Sequence, residues 1–246
     1  MTVIDRRNLL TATGATFLAG LAAHQAWAFG TPALQAFSTA IGQVDHFSRQ
    51  ALNGGISIAN WREGLDHVFS NLDPDDVRNA IEFDRLLNSA GIAERGVATA
   101  PVRLQLENGE RLAFFPKFFT VGRGRAIIPH GHSNMISAHL TLQGRFHLRQ
   151  YDRIAIEDDA LLIRPTIDEV VTAGNLASIG DPDDNIHWFI AEEHACTLDI
   201  ILTNLDASAS SAFDIFNIDP MEAAALGQDI WRAPRLSVAD GLAKYG

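Results

Sequence analysis

The chain has 246 residues, 47% of them hydrophobic and 20% charged, so it can bury a sizeable core in one main domain or in two small ones. Its formal net charge of −11 gives the surface the same sign as nucleic acid and anionic lipid, which argues against nonspecific binding to either. No nucleic-acid partner is therefore expected. Because Cys196 is the single cysteine, an internal disulfide is excluded and stability must come from the core.

The first 28 residues have the features of an export signal. Arg6 and Arg7 precede a moderately apolar stretch, residues 9–22, and residues 26–28 form an A-x-A cleavage pattern. The paired arginines resemble a twin-arginine signal, with Asp5 where serine or threonine is commoner. The pattern predicts export to a bacterial periplasm by the twin-arginine machinery. An ordinary secretory signal or an amphipathic first helix is the alternative.

Residues 29–96 show the spacing of apolar side chains that is typical of helices. Thr31 and Pro32 offer an N-cap and a first-turn proline, and apolar residues then recur every three or four positions. Asp73 followed by Pro74 indicates the start of another helix. We expect these residues to form a helical N-terminal segment that packs against the rest of the chain and carries no catalytic group.

Short alternating strands separated by glycines replace the helical spacing over residues 97–206. One segment, around Asn108 and Gly109, carries the two-residue signature of a type I′ hairpin. Short strands at regular spacing predict an all-β core, built as a closed or double-sheet antiparallel barrel. Residues 207–246 are expected to form a C-terminal extension with a short helix in the segment PMEAAALGQDIW.

His130 and His132 are the first residues that indicate chemistry. They stand two positions apart on a predicted strand, so both side chains point to one face and can enter the barrel. A strand distant in sequence can supply a further ligand, and His187 is the best candidate. Three neutral imidazoles with open positions form the arrangement that a catalytic metal uses. The pair alone is a weak signal, since nine histidines will sometimes fall two apart.

The surroundings of the histidine pair resemble the first motif of the cupin superfamily, with Gly124 before it and Gly144 after it. A narrower resemblance, to the plant cysteine oxidase and cysteamine (2-aminoethanethiol) dioxygenase family, lies in IPHGHSNM, GRFHLRQYD, NIHWF and LDIIL, within residues 103–205. The matching residues are Pro129, His130, His132, Met135, Gly144, His147, Tyr151, Asp152, Asn185, Ile186 and His187.

The resemblance implies a cupin-type antiparallel β-barrel, a double-sheet jelly roll, with one mononuclear Fe(II) held by His130, His132 and His187. It implies O₂ as co-substrate and a small aminothiol or a peptide N-terminal cysteine as the thiol that becomes a sulfinate. Asp199 matches an aspartate that lines the family's pocket, where it is expected to act in catalysis by pairing with the substrate ammonium. Pairing of two barrels through exposed edge strands would give a homodimer.

Several positions depart from the family pattern. Leu205 stands where the family has a tyrosine, and the family's second-motif cysteine falls on Ala195, beside Cys196. Residues 133–143 contain no acidic side chain, so no carboxylate ligand is expected after the histidine pair. The site would keep the metal's charge of about +2, which favours an anionic ligand such as a thiolate.

Other hypotheses remain open on the sequence alone. Zinc, manganese or nickel also accept three histidines, and zinc would make a hydrolytic site instead of an oxygen-using one. A non-catalytic exported cupin that binds a small ligand is the third hypothesis, because the barrel hosts many functions. We interpret His139, His147 and His194 as structural rather than as ligands.

Overall fold

A computed structural model describes residues 31–246, and the predicted export signal, residues 1–28, lies outside them. None of the helices in the described part has the length and apolarity that a membrane crossing requires.

The N-terminal segment is helical, as predicted. It consists of α1 (Pro32–Leu52), α2 (Ile58–Ser70), α3 (Pro74–Ala80) and α4 (Phe83–Ala90). Side chains cap the first three helices at their N-termini, where Thr31, Ser57 and Asp73 each accept a backbone N–H. Trp61 of α2 is fully buried in the core between the helices and the barrel, which we call the helix-side core. Its indole Nε1 donates to Ser48 Oγ at 3.1 Å.

Two antiparallel sheets follow. In spatial order, the first sheet contains β1 (Ala98–Pro101), β2 (Phe115–Val121), β9 (Ala195–Thr203), β4 (Met135–Gln143) and β7 (Leu176–Ile179). The second contains β10 (Asp214–Ile218), β3 (Ala126–Ser133), β8 (Ile186–Ala191), β5 (Arg145–Ile156), β6 (Ala160–Thr172), β12 (Ile230–Leu236) and β11 (Ala224–Gly227). A 3₁₀ turn (Pro220–Glu222) and a final helix, α5 (Val238–Tyr245), complete the described chain.

The chain passes repeatedly from one sheet to the other, so strands far apart in sequence become neighbours. β3 pairs with β8, and β4 pairs with β9. The predicted all-β core, a cupin-type double-sheet jelly roll preceded by a helical segment, is confirmed by this strand order. The crossing pattern also places β3 and β8 of the second sheet opposite β2, β4 and β9 of the first, around one cavity.

The hairpin predicted around Asn108 and Gly109 is wrong. A tight turn is present, since Gly109 N–H donates to the Leu106 carbonyl at 2.9 Å, but the flanking residues 102–114 form no strands. Apolar residues of this segment pack on the helix-side core instead, and Asp45 of α1 accepts the Ala113 N–H at 2.6 Å. The alternating apolar residues that suggested strand pairing are therefore packed against the helix-side core instead.

The helix predicted in the tail, residues 220–231, is also wrong. After the 3₁₀ turn, β11 and β12 form a hairpin, and Gln228 and Asp229 adopt positive φ between them. β12 then pairs with β6 of the barrel, with Ala233 opposite Leu161. The open edge of β6 thus provides backbone partners that a local helical pattern does not reveal. The strands continue past residue 206, because β10 pairs with β3 directly beside the histidine pair.

Candidate metal centre

Three histidines from two neighbouring strands meet inside the barrel. His130 of β3 is the direct cross-strand partner of His187 of β8. The ring centroids lie 4.2 Å apart for His130 and His187, 4.9 Å for His132 and His187, and 5.2 Å for His130 and His132. One ligand atom from each residue lies within 4.8 Å of the others. The structure thus brings together the three predicted ligands in a group that can hold a metal ion.

These imidazoles are held in the neutral form that a metal requires. Burial lowers the pKa of His130, and it lowers the pKa values of His132 and His187 well below the ordinary histidine value. The charge of His130 adds to this effect at His132 and at His187. Since a proton and a metal ion compete for the same nitrogen, neutral rings near pH 7 favour metal binding.

Backbone carbonyls orient two of the rings. His130 Nδ1 lies 2.8 Å from the Ile128 carbonyl oxygen, and His187 Nδ1 lies 3.3 Å from the Asn185 carbonyl oxygen. Donation from each Nδ1–H leaves Nε2 with its lone pair free, which is the usual arrangement of a metal-binding histidine. His132 Nδ1 is buried and has no hydrogen-bond partner among residues 31–246. The donor set and this unpartnered nitrogen fit a metal site.

Asn185 ties together the two strands that carry the three histidines. Its Oδ1 accepts the His132 N–H at 3.2 Å, and its Nδ2 donates to the carbonyls of His132 and Gly180, each at 2.9 Å. Arg153 donates to the same His132 carbonyl and forms an ion pair with Asp181. The backbone at His132 is therefore fixed from the loop before β8 and from Arg153 of β5.

The first sheet presents a polar row to the three histidines. Lys117 of β2 is the cross-strand partner of Asp199 of β9, and Asp199 is the partner of His139 of β4. His139 Nε2 lies 3.3 Å from Asp199 Oδ2, and His139 Nδ1 lies 3.0 Å from Thr197 Oγ1. His139, which the sequence did not mark as functional, thus faces the cavity and contacts the predicted catalytic carboxylate.

Burial dominates the acid–base properties of this row. It raises the pKa of Asp199 to about 7, although the Ser137 side chain and the charge of Lys117 act in the opposite direction. It lowers the pKa of His139 to about 3, so this ring is neutral. The second carboxylate oxygen, Asp199 Oδ1, is buried without a hydrogen-bond partner in the described part of the chain. An unpartnered buried oxygen favours a ligand that brings a donor to it.

The cavity between the sheets has a volume of about 500 Å³. The histidines and the polar row line its interior, and Asp199 is the only acidic side chain in the lining among the described residues. Phe115, Phe213 and Ile215 form an apolar rim, with 64%, 44% and 48% of their surface exposed. A cavity of this size with convergent polar groups is typical of a small-molecule site.

Other positions singled out in the sequence lie elsewhere. The His147 ring forms a hydrogen bond with Asp168 and its side chain is 31% exposed, and His194 lies with Nε2 2.8 Å from Thr120 Oγ1. Neither lines the cavity. Leu205, at the family's tyrosine position, packs against the helix-side core.

No family model and no curated protein matches the chain. Among solved structures, KdgF from Halomonas sp. is 15% identical with a TM-score of 0.32, over 43% of this chain and 77% of that one. A cupin superfamily protein from Desulfitobacterium hafniense DCB-2 is 13% identical with a TM-score of 0.30, over 45% and 80%. The Escherichia coli ribosomal oxygenase YcfD is 20% identical with a TM-score of 0.29, over 35% and 22%.

These likenesses are distant, so the fold assignment rests on the strand order itself. Strand order and histidine group together define a cupin-type barrel with a site able to hold a metal ion.

Proposed function

We propose that this protein is an iron-dependent thiol dioxygenase, which converts a small aminothiol or a cysteinyl thiol to a sulfinate with O₂. The observation that carries the proposal is a group of three neutral imidazoles without a carboxylate among them, facing the buried Asp199 across one cavity. A site with neutral ligands keeps the positive charge of its metal and so favours a thiolate.

When bound, Fe(II) would supply a Lewis acid for the thiolate and a redox centre for O₂. The overall reaction is RSH + O₂ → RSO₂H, in which both oxygen atoms enter the product. Sulfur loses four electrons and O₂ gains them, so no further reductant is needed. The sulfinate is the second step of the cysteine oxidation ladder.

The residues of the chain bind and orient the thiol. His130, His132 and His187 supply nitrogen ligands without adding negative charge. Asp199 Oδ1 offers an acceptor to the ammonium of an aminothiol, and a charge-assisted hydrogen bond of this kind is shorter and stronger than a neutral one. The apolar side chains at the rim surround these polar groups with nonpolar surface, where contacts between charges are stronger than in open water.

Oxygen uptake tests the proposal. The protein is purified anaerobically, its metal is measured, and O₂ uptake is followed with cysteine, cysteamine and 3-mercaptopropionate. Iron, thiol-dependent uptake and a sulfinate product identified by mass spectrometry would support the proposal. Zinc without uptake would replace it with a hydrolytic cupin, and a protein without metal would indicate a binding module.

We also propose that residues 1–28 direct the protein to the periplasm through the twin-arginine machinery. The support is the Arg6–Arg7 pair before an apolar stretch. Replacing both arginines by lysine in the full-length chain should keep the protein in the cytoplasmic fraction. Export that persists would show an ordinary secretory signal instead.

A further inference from the structure

Lys117 and Asp199 place an ammonium and a carboxyl group side by side on the cavity wall that faces the histidines. They are cross-strand partners on β2 and β9, so their side chains leave the sheet on the same face. Both line the cavity. Lys117 forms no ion pair with any carboxylate in residues 31–246, and Asp199 retains its unpartnered oxygen. Neither group is therefore fully paired with the other.

Lys117 lies on the cavity wall beside an aromatic ring. Its Nζ lies 5.2 Å from the centroid of the Phe119 ring, another residue of the cavity wall. The cross-strand partner of Lys117 in the register of β2 and β9 is Asp199, so the two side chains are neighbours on this wall. The Lys117 side chain is half-buried and its ammonium has no carboxylate partner in residues 31–246, so it can pair with an anionic group of a ligand in the cavity.

We infer that Lys117 and Asp199 form a subsite for a zwitterionic thiol, with Lys117 binding a carboxylate and Asp199 binding the ammonium. This inference rests on the proposed function and narrows its substrate class to thiols that carry both groups, as an α-amino acid does. Cysteamine would leave Lys117 without an anion, and 3-mercaptopropionate would leave Asp199 without a cation. Cysteine satisfies both residues.

Anaerobic titration calorimetry on the metal-loaded protein separates the two contacts. The wild type should bind cysteine more tightly than cysteamine and than 3-mercaptopropionate. Lys117→Met should reduce the ratio of cysteine affinity to cysteamine affinity by about tenfold or more, the size expected for one charge-assisted contact. Asp199→Asn should reduce the ratio of cysteine affinity to 3-mercaptopropionate affinity. Lys117→Arg keeps the charge and should restore most of the first ratio.

A second readout requires no turnover. Lys117 and Lys244 are the only lysines in the chain, so ¹³C reductive dimethylation labels just these two side chains and the N-terminus. Lys244 is paired with Asp219 at the C-terminal helix and serves as the internal reference. Cysteine and 3-mercaptopropionate should shift the Lys117 methyl signal more than cysteamine does. The Lys244 signal should not move.

The outcomes separate the two proposals. A wild-type protein that neither binds nor oxidises any of the three thiols, nor a peptide with an N-terminal cysteine, would refute the proposed function. A wild type that oxidises thiols, but whose affinity ratios do not change in a folded Lys117→Met variant, would overturn the subsite and leave the proposed function intact. Thermal unfolding of each variant verifies that it is folded.

Discussion

His187 decides whether the two histidines on β3 form a site or only share a face. Because β3 and β8 are adjacent and His187 lies opposite His130, the third ring turns toward the first pair. That His130 and His132 point to the same face of β3 could be predicted from their spacing alone. Local spacing does not reveal which strands are neighbours across a barrel. His187 was therefore a candidate only from its place after a turn-rich loop and from the family resemblance.

Removing one imidazole should abolish metal binding. His132→Ala and His187→Ala should each lower metal affinity by more than about a hundredfold, because two nitrogen ligands do not complete a site of this kind. Metal content after dialysis against a weak chelator measures the effect. His147→Ala is the control, since His147 pairs with Asp168 outside the cavity. Equal metal retention in all three variants would show that the metal binds elsewhere.

Asp199 should make the stability of the metal-free protein depend on pH. Burial raises its pKa to about 7, so between the ordinary carboxyl pKa and pH 7 the folded state holds a proton that the unfolded state has released. The free energy of unfolding should therefore fall as the pH rises through this window, by on the order of a few kcal/mol. Asp199→Asn cannot ionise and should lose this contribution to the slope.

Urea unfolding of the wild type and of Asp199→Asn at pH 5 and at pH 8 measures the difference. The variant should gain stability relative to the wild type at the higher pH. A difference that stays constant between the two pH values would show that Asp199 titrates normally.

The polar row shows what sequence reasoning could not reach. Asp199 was a candidate only through the family resemblance, and His139 and Lys117 were not candidates at all. Their proximity depends on the register of β2, β9 and β4, which pairs residues far apart in sequence. The one local signal was that His139 lies an even number of residues from Met135 and Ser137 and so shares their face of β4. The sequence alone does not say whether that face turns to the cavity, so this signal could not identify His139.

At the scale of elements, β3 and β8 fit together at Gly131 because the side chains of Asn185 and Ile186 lie close to its backbone. A Cβ at this position would lie 2.6 Å from Asn185 Oδ1 and 3.0 Å from Ile186 Cγ1. Asn185 holds the backbone of His132, so any shift of its side chain disturbs the metal ligands. Glycine is therefore required here by contact rather than by φ.

Gly131→Ala should lower stability by about 1–3 kcal/mol, the usual cost of overpacking, and should weaken metal binding by about tenfold. Chemical unfolding and a metal titration measure the two effects. Gly42→Ala in α1 is the matched control, because its Cβ would meet nothing within 4 Å and alanine favours a helix. Unchanged metal affinity in Gly131→Ala would show that Asn185 does not support the site.

The two incorrect element predictions share a physical cause. The Asn108–Gly109 segment has hairpin chemistry, but its apolar residues pack on the helix-side core. The tail has helix-forming residues, but the edge of β6 offers backbone partners along β12. In both cases tertiary contacts override local propensity. The long helices and the central strands, whose periodicity agrees with their packing, were predicted correctly.

At the scale of the whole molecule, the first sheet is buried on both faces. One face lines the cavity, and the other supports the helices through residues such as Leu140, Leu198 and Ile200. This explains why no residue of β4 or β9 is exposed although apolar and polar residues alternate along both strands. The polar side chains Ser137, His139 and Asp199 face the cavity, and those apolar ones face the helices. The helical segment thus contributes to the stability of the wall that carries the polar row.

Trp61→Ala tests this contribution. The indole is fully buried, so its loss should lower the free energy of unfolding by about 3–5 kcal/mol. Urea unfolding measures the change, and Trp231→Ala, at a side chain that is 39% exposed, should cost much less. A loss below about 1 kcal/mol in Trp61→Ala would show that the helices pack only loosely on the barrel.

X-ray absorption at the iron edge tests the central claim most directly, because it identifies the atoms bound to the metal. The anaerobic iron-loaded protein should show three imidazole nitrogens in the first shell, and adding cysteine should add one sulfur neighbour. A first shell that contains a protein carboxylate, or one that gains no sulfur from any thiol, would contradict a three-histidine thiol dioxygenase.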